Sequence, residues 1–189
     1  MLIQGDEADK DALMQVARLM CLAARTAPKG GGVDGIVTAI LISEQKDAVA
    51  NEMRRIGLEQ GMHAYVLNAQ DVEDAGLVVV IGTKLRRYRI KTCDFCGFAD
   101  CNQNAEANGI CAIAVGDLGI AIGSAVEVAG RLHADNRIMF TVGKAVLSLR
   151  LLEEEVKICY GIPLSAKGKN PFFDKDWKKA YGVEGWRVK

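Results

Sequence analysis

Histidine is nearly missing from this 189-residue chain: His63 and His133 are the only two. Neither stands near a recognisable nucleophile, so both read as surface or helix-end residues rather than general bases. Net charge is missing too. The 24 Lys and Arg residues balance 24 Asp and Glu, and the overall field gives no reason to expect nucleic acid or an anionic membrane as partner. The N-terminal stretch MLIQGDEADKDALMQ has no apolar core, which argues against a signal or transit peptide there. The expected setting is therefore cytoplasmic, where reducing conditions turn clustered cysteines into metal ligands or redox groups rather than disulfides. Only one run is apolar enough to mimic a membrane span, ICAIAVGDLGIAIGSAVEVAG at 110–130, and Asp117 and Glu127 interrupt it. Each such charge costs roughly 2–3 kcal/mol at a bilayer centre, so the expectation is a buried helix and no membrane. Internal repeats and low-complexity linkers are also lacking, and the chain reads as a single domain over 1–189. A chain of this length buries enough apolar surface to fold without a metal or disulfide staple.

What is present is periodic. Leu13, Val16, Ala17, Met20 and Ala24 recur at helical spacing behind Asp6, Glu7 and Asp9, acids that suit the positive end of a helix dipole. That helix is expected to end near Pro28. RTAPKGGGVDG, 25–35, is a glycine-rich loop. IVTAILI (36–42), GLVVVIGTK (76–84) and VKICYGIPL (156–164) read as strands, and HAYVLNA (63–69) as a short one. Ser43 opens a helix with a capping-box pattern in which Lys46 takes the place of the ideal Glu. A long helix rich in small residues is expected over 112–132, at the centre of the fold or at a homodimer interface, and another within 138–152. Phe172, Phe173, Trp177, Tyr181 and Trp186 crowd the tail and are expected to anchor it. Helices alternating with strands argue for a layered α/β or α+β domain.

Four of the six cysteines lie within 19 residues, as C-x2-C-x4-C-x9-C: Cys93, Cys96, Cys101 and Cys111. Four thiolates satisfy an iron–sulfur cluster or a structural zinc. Zinc sites usually present two C-x2-C pairs, whereas a close trio with a distant fourth is the habit of cubane clusters. A 4Fe-4S cluster is the leading reading; a zinc staple is the alternative. Gly97, directly after the second cysteine, is expected to free an amide toward cluster sulfur. Cys21 and Cys159 read as small core residues. The basic run KLRRYRIK, 84–91, reads as a solvated edge strand or as a docking surface for an acidic electron-transfer partner protein. Asp117 reads as a buried hydrogen-bonding group, with a proton relay as the sharper option.

CDFCGFADCNQNAEANGIC resembles the C-x2-C-G-x3-C-x3-A motif of the four-cysteine domain in corrinoid iron–sulfur proteins and membrane electron-transfer complexes. The match holds Cys93, Cys96, Gly97, Cys101 and Ala105, with a shorter final gap. Over nearly the whole chain, AARTAPKGGGVD, VGDLGIAIGSAV, DNRIMFTVGKA and GIPLSAKGKNPFFDK resemble blocks of the prokaryotic ferredoxin-domain (4Fe-4S domain) proteins, a family with no assigned reaction. AARTAPKGGGVD is also similar to a turn of FMN-dependent nitroreductases, as are Asp117, Gly119 and Ala121 to the opening of their long apolar helix. That second resemblance implies a nitroreductase-like mixed sheet with helices carrying the four-cysteine loop at 93–111. It further implies an FMN phosphate held by Arg25, Lys29, Lys167 and Lys169, with Gly30 and its neighbours leaving room for the ring. Val33 and Asp34 replace the asparagine usual in that turn.

Overall fold

The computed structural model describes residues 2–84 and 86–173. Trp177, Tyr181 and Trp186 lie outside the described residues; Phe172 is fully buried, and Phe173 lies exposed beneath the guanidinium of Arg137.

The elements follow in the order α1 Gly5–Thr26, a 3-10 turn Gly30–Gly32, β1 Ile36–Leu41, α2 Ser43–Gln60, α3 His63–Asp74, β2 Leu77–Lys84, α4 Cys101–Glu106, α5 Ala112–Arg131, β3 Asp135–Asn136, α6 Phe140–Ser148 and β4 Val156–Ser165. Helix α1 buries the five apolar residues that set its period and stops two residues short of Pro28. Among the described residues the sheet runs β1-β2-β4-β3, and every pairing is antiparallel. The expected mixed sheet is thus corrected. Two helices, α2 and α3, separate β1 from β2. A helix pair returns the chain to the end it left, so Leu41 pairs with Val78 and β2 runs back beside β1.

Strand β2 is buried along Leu77–Thr83 and serves two cores. Successive side chains of a strand face opposite ways. Leu77, Val79 and Ile81 meet α1 and α5 on one side; Val78 and Val80 meet α2, α3 and α6 on the other. The fold is therefore three layers, helices on both faces of a sheet. Helix α5 has the length and hydropathy of a membrane span, and its Ala114, Leu118, Ala121, Ile122, Ala125 and Ala129 are buried, all but Ala114 in the first of these cores.

Three local readings change. Residues 63–69 are helical rather than extended, because Tyr65, Ala69 and Val72 share one buried face at helical spacing. Lys46 is no capping-box partner. Its buried ammonium donates to the carbonyls of Val72 and Glu73 at 3.1 and 3.0 Å, closing the end of α3. Helix α6 starts only at Phe140, because Met139 exchanges two backbone hydrogen bonds with Gly161. The α6 backbone then presses onto β4 so closely that a Cβ at Gly143 would lie 1.8 Å from the Cys159 carbonyl oxygen. Cys159 is buried there, and its thiol, pushed up to about 12 by burial, donates to the Gly143 carbonyl.

Candidate functional site

Residues 86–111 leave the end of β2 and run to the start of α5, and they carry the four-cysteine segment. The basic run does not form an edge strand. Strand β2 ends at Lys84, and Arg87 and Tyr88 both turn inward while Arg86, Arg89 and Lys91 stay exposed.

Tyr88 binds the segment to the body. Its ring packs against Gly30 and its hydroxyl donates to Asp117 Oδ2. The other oxygen of Asp117 accepts the Gly30 N–H at 3.0 Å. Asp117 is thus a buried acceptor joining α5 to the glycine loop. Burial, followed by the hydrogen bond and charge of Asp117, pushes the Tyr88 phenol up to about 12.

Arg87 binds the segment to itself. Its Nε donates to Asn104 Oδ1 at 2.6 Å, and one terminal nitrogen donates to the carbonyls of Gly109 and Asn104 at 3.0 and 3.4 Å. Asn104 is 1% exposed. Its amide nitrogen donates to the Ile110 carbonyl at 3.2 Å. Gly109 closes against this side chain, since a Cβ there would lie 2.7 Å from Asn104 Nδ2 and 2.8 Å from Phe98.

Cys101 and Cys111 flank this network in the chain. The turn at 90–97 carries Cys93 and Cys96. Gly97 has φ +79°, and its amide donates to the Asp94 carbonyl at 2.8 Å, so it is spent in the turn rather than free. Asp100 caps α4 by accepting from the amides of Asn102 and Gln103, which puts Cys101 in the first turn. Cys101 borders a cleft of about 290 Å³ shared with Arg89, Lys91 and Asp100. Cys111 is buried as the residue leading into α5. All four are free thiols. Among the described residues, no three His, Cys, Asp or Glu side chains stand together so as to hold a metal ion. Four thiols on one segment are nonetheless the donor chemistry of a thiolate-ligated centre, and holding one requires the segment to close around it.

The residues expected at a flavin phosphate are placed otherwise. The ammonium of Lys29 is turned back onto the end of α1, donating to the carbonyls of Ala24, Arg25 and Ala27 at 2.5–3.3 Å. Arg25 pairs with Asp34 and donates to the Ile36 carbonyl. Burial opposes ionisation of Asp34, but Arg25 and the Ile36 amide hold its carboxyl below the usual value. The space against Gly30 is filled by Tyr88 and Ile113. Lys167 and Lys169 are exposed beyond the end of β4, where Leu164 pairs with Leu77; Arg25 meets Ile36, which pairs with Thr83 at the other end of β2. Six strand residues put the two pairs roughly 20 Å apart. Within one chain they do not converge, because the sheet lies lengthwise between them. Arg87 and Tyr88 belong to the basic run read as an edge strand or docking surface, and their inward bonds to Asn104 and Asp117 have no local sequence signal beyond proximity to the cysteines.

A family model described as "Uncharacterized protein containing a ferredoxin domain (DUF2148)" matches residues 107–175, which include Cys111 but not the trio. Among solved structures, the nitroreductase CinD from Lactococcus lactis, in complex with nicotinic acid, is similar with a TM-score of 0.57 at 15% identity. That match covers 91% of this chain and 88% of the other. The hypothetical oxidoreductase YcnD from Bacillus subtilis gives 0.54 at 14% identity over 82% of this chain; the match spans only 58% of that protein's length. These likenesses show a nitroreductase-like fold. An uncharacterized protein of Archaeoglobus fulgidus is 34% identical over 187 residues, 95% of this chain and 100% of its own. With the family model and that full-length relative together, the chain belongs to the family of uncharacterized proteins containing a ferredoxin domain.

Proposed function

We propose that this chain is a cytoplasmic electron-transfer protein in which Cys93, Cys96, Cys101 and Cys111 hold a 4Fe-4S cluster. The observation that carries the reading is that four free thiols lie on one short segment, 93–111, of a ferredoxin-domain family member. When bound, such a cluster accepts and releases single electrons, with a potential set by charge, hydrogen bonds and burial. The chain's own part is to present the ligands. Asp100 starts α4 at Cys101, and Cys111 stands at the positive end of the α5 dipole, which favours negative charge. Holding a cluster would bring the turn at 90–97, with Cys93 and Cys96, onto these two. Arg86, Arg89 and Lys91 give an electron-transfer partner protein an exposed basic contact, and the exposed small residues of α5, Gly116, Gly119 and Gly123, suit a homodimer.

The test is anaerobic purification followed by iron, zinc and acid-labile sulfide analysis. Iron and sulfide in equal amounts are expected, lost on Cys→Ser substitution at any of the four positions and retained for Cys21→Ser. Zinc without sulfide would replace the electron-transfer reading with a structural four-cysteine zinc site.

The fold favours a second reading, an FMN-dependent oxidoreductase in which the cluster relays electrons to or from the flavin. On this geometry the flavin phosphate cannot draw on Lys29, which closes α1. Lys167 and Lys169 remain available. A flavin spectrum in freshly purified protein, abolished by Lys167→Ala with Lys169→Ala, is the expected outcome under this reading; protein that stays flavin-free after incubation with FMN sinks it.

A further inference from the structure

The gap between Cys101 and Cys111 is the least constrained part of the ligand set in sequence: nine residues with three asparagines, a glutamine and a glycine. In the structure it is the most hydrogen-bonded. Asn104 lies one helical turn beyond Cys101, and Ile110 directly precedes Cys111. Arg87 and Asn104 tie these points together through the Asn104 side chain, the Asn104 and Gly109 carbonyls and the Ile110 carbonyl. The amide of Gly109 returns to the Asn104 carbonyl at 2.7 Å, completing the ring. Among the described residues of 86–110, Asn104 is the only buried one. Apolar packing therefore has little hold on this gap, and the polar network is what orders it.

The charge of Arg87 is unusual in this setting. Its guanidinium is half-buried, its hydrogen bonds go to amide and carbonyl oxygens, and no ion pair to a carboxylate is formed among the described residues. A guanidinium held this way carries its positive charge undiminished beside the ligand loop. Four thiolates around an iron–sulfur core bring net negative charge, which such a cation favours.

We propose that Arg87 is a positioning residue for the cluster. It fixes the spacing of Cys101 and Cys111 before metal arrives and holds an uncompensated positive charge behind them. The proposal rests on the 4Fe-4S reading above. Two consequences separate geometry from charge. Arg87→Gln removes both, so iron uptake during anaerobic reconstitution slows about tenfold, the scale expected when the Asn104 side-chain oxygen and the Gly109 carbonyl lose their donor. The reduction potential of whatever cluster forms shifts downward, because a nearby cation stabilises the more negative, reduced state. Arg87→Lys keeps the charge but loses the fork, so uptake slows while the potential stays near that of the unsubstituted protein. Hydrogen exchange on the metal-free chain provides a third readout: the Gly109 amide, bonded to the Asn104 carbonyl, loses protection in both variants, whereas β2 amides do not.

The experiment is reconstitution of the full chain and the two variants with ferrous iron and sulfide, followed by potentiometric titration. If the unsubstituted chain takes up no iron, the cluster reading fails and the proposal with it. If that chain loads but Arg87→Gln loads equally fast and titrates at the same potential, the cluster reading survives and the positioning role is overturned. An Arg87→Gln chain that fails to fold leaves the decision to Arg87→Lys, where unchanged uptake overturns the proposal.

Discussion

Strand β2 and the segment that follows it are neighbours in the chain and opposites in physics. From Leu77 to Thr83 every residue is buried, and the strand is gripped by apolar side chains from both helical layers. From 86 to 110, Asn104 is the one described residue that is buried. Burying a Val, Leu or Ile side chain contributes about 1.5–3 kcal/mol, so the body holds itself together without help. The segment holds its shape by hydrogen bonds to Arg87, Asn104, Tyr88 and Asp117, each with a modest net contribution of about 1 kcal/mol. The difference separates a scaffold packed on both faces of its sheet from a polar segment that carries the four cysteines and is ordered by hydrogen bonds.

The largest effect that tests this contrast lies in the body. Gly143→Leu places a side chain where α6 meets the Cys159 carbonyl. Overpacking at such a contact costs about 1–3 kcal/mol or more, and loss of the cooperative thermal transition in circular dichroism is expected. An unchanged melting temperature would mean that α6 does not press on β4 as described. A smaller effect is expected from Asn104→Leu, which strips partners from Arg87 and the Ile110 carbonyl. Roughly 2 kcal/mol is lost locally, seen as faster hydrogen exchange at Gly109 with little change in the melting of the body. If the whole protein melts as early as a core variant does, the two regions are one cooperative unit and the contrast breaks.

The smallest effect sharpens the seam between them. The neutral Tyr88 phenol is favoured in the folded state, with a value of about 12 against an ordinary value near 10. Its contribution is therefore complete below pH 10 and is lost as pH rises through 12. A tyrosinate absorbance step near pH 12 is expected, and Tyr88→Phe removes it. A step of unchanged size in that variant would place the phenol away from Asp117.

The same division explains what the sequence revealed. Helix α1 and strand β2 were legible because burial leaves a mark, a helical period from Leu13 to Ala24 and an unbroken apolar run from Leu77 to Ile81. The nitroreductase-like fold was legible through the glycine loop and the long apolar helix. Helix α3 was not, because a seven-residue stretch carries both periods and only Val72, further along, completes the helical face. The antiparallel sheet was hidden in the number of helices between strands. Of the candidate site, the sequence displays the four cysteines and nothing of the hydrogen bonds that order their segment. Arg87 reaches Asn104 across 17 positions and Tyr88 reaches Asp117 across 29, and such pairings leave no local pattern. Lys29 misled although its partners are local: a basic residue in a glycine loop looks like a phosphate ligand until its ammonium is found on carbonyls at the end of α1 and just beyond it.

The central claim is that the polar segment, not the apolar body, carries an iron–sulfur centre. Native mass spectrometry of anaerobically purified protein tests it most directly. The account predicts a chain heavier than its sequence mass by four irons and four sulfides, returning to the bare mass when Cys93, Cys96, Cys101 and Cys111 are replaced by serine. A chain that carries a single zinc, or that keeps its iron after those four replacements, contradicts it.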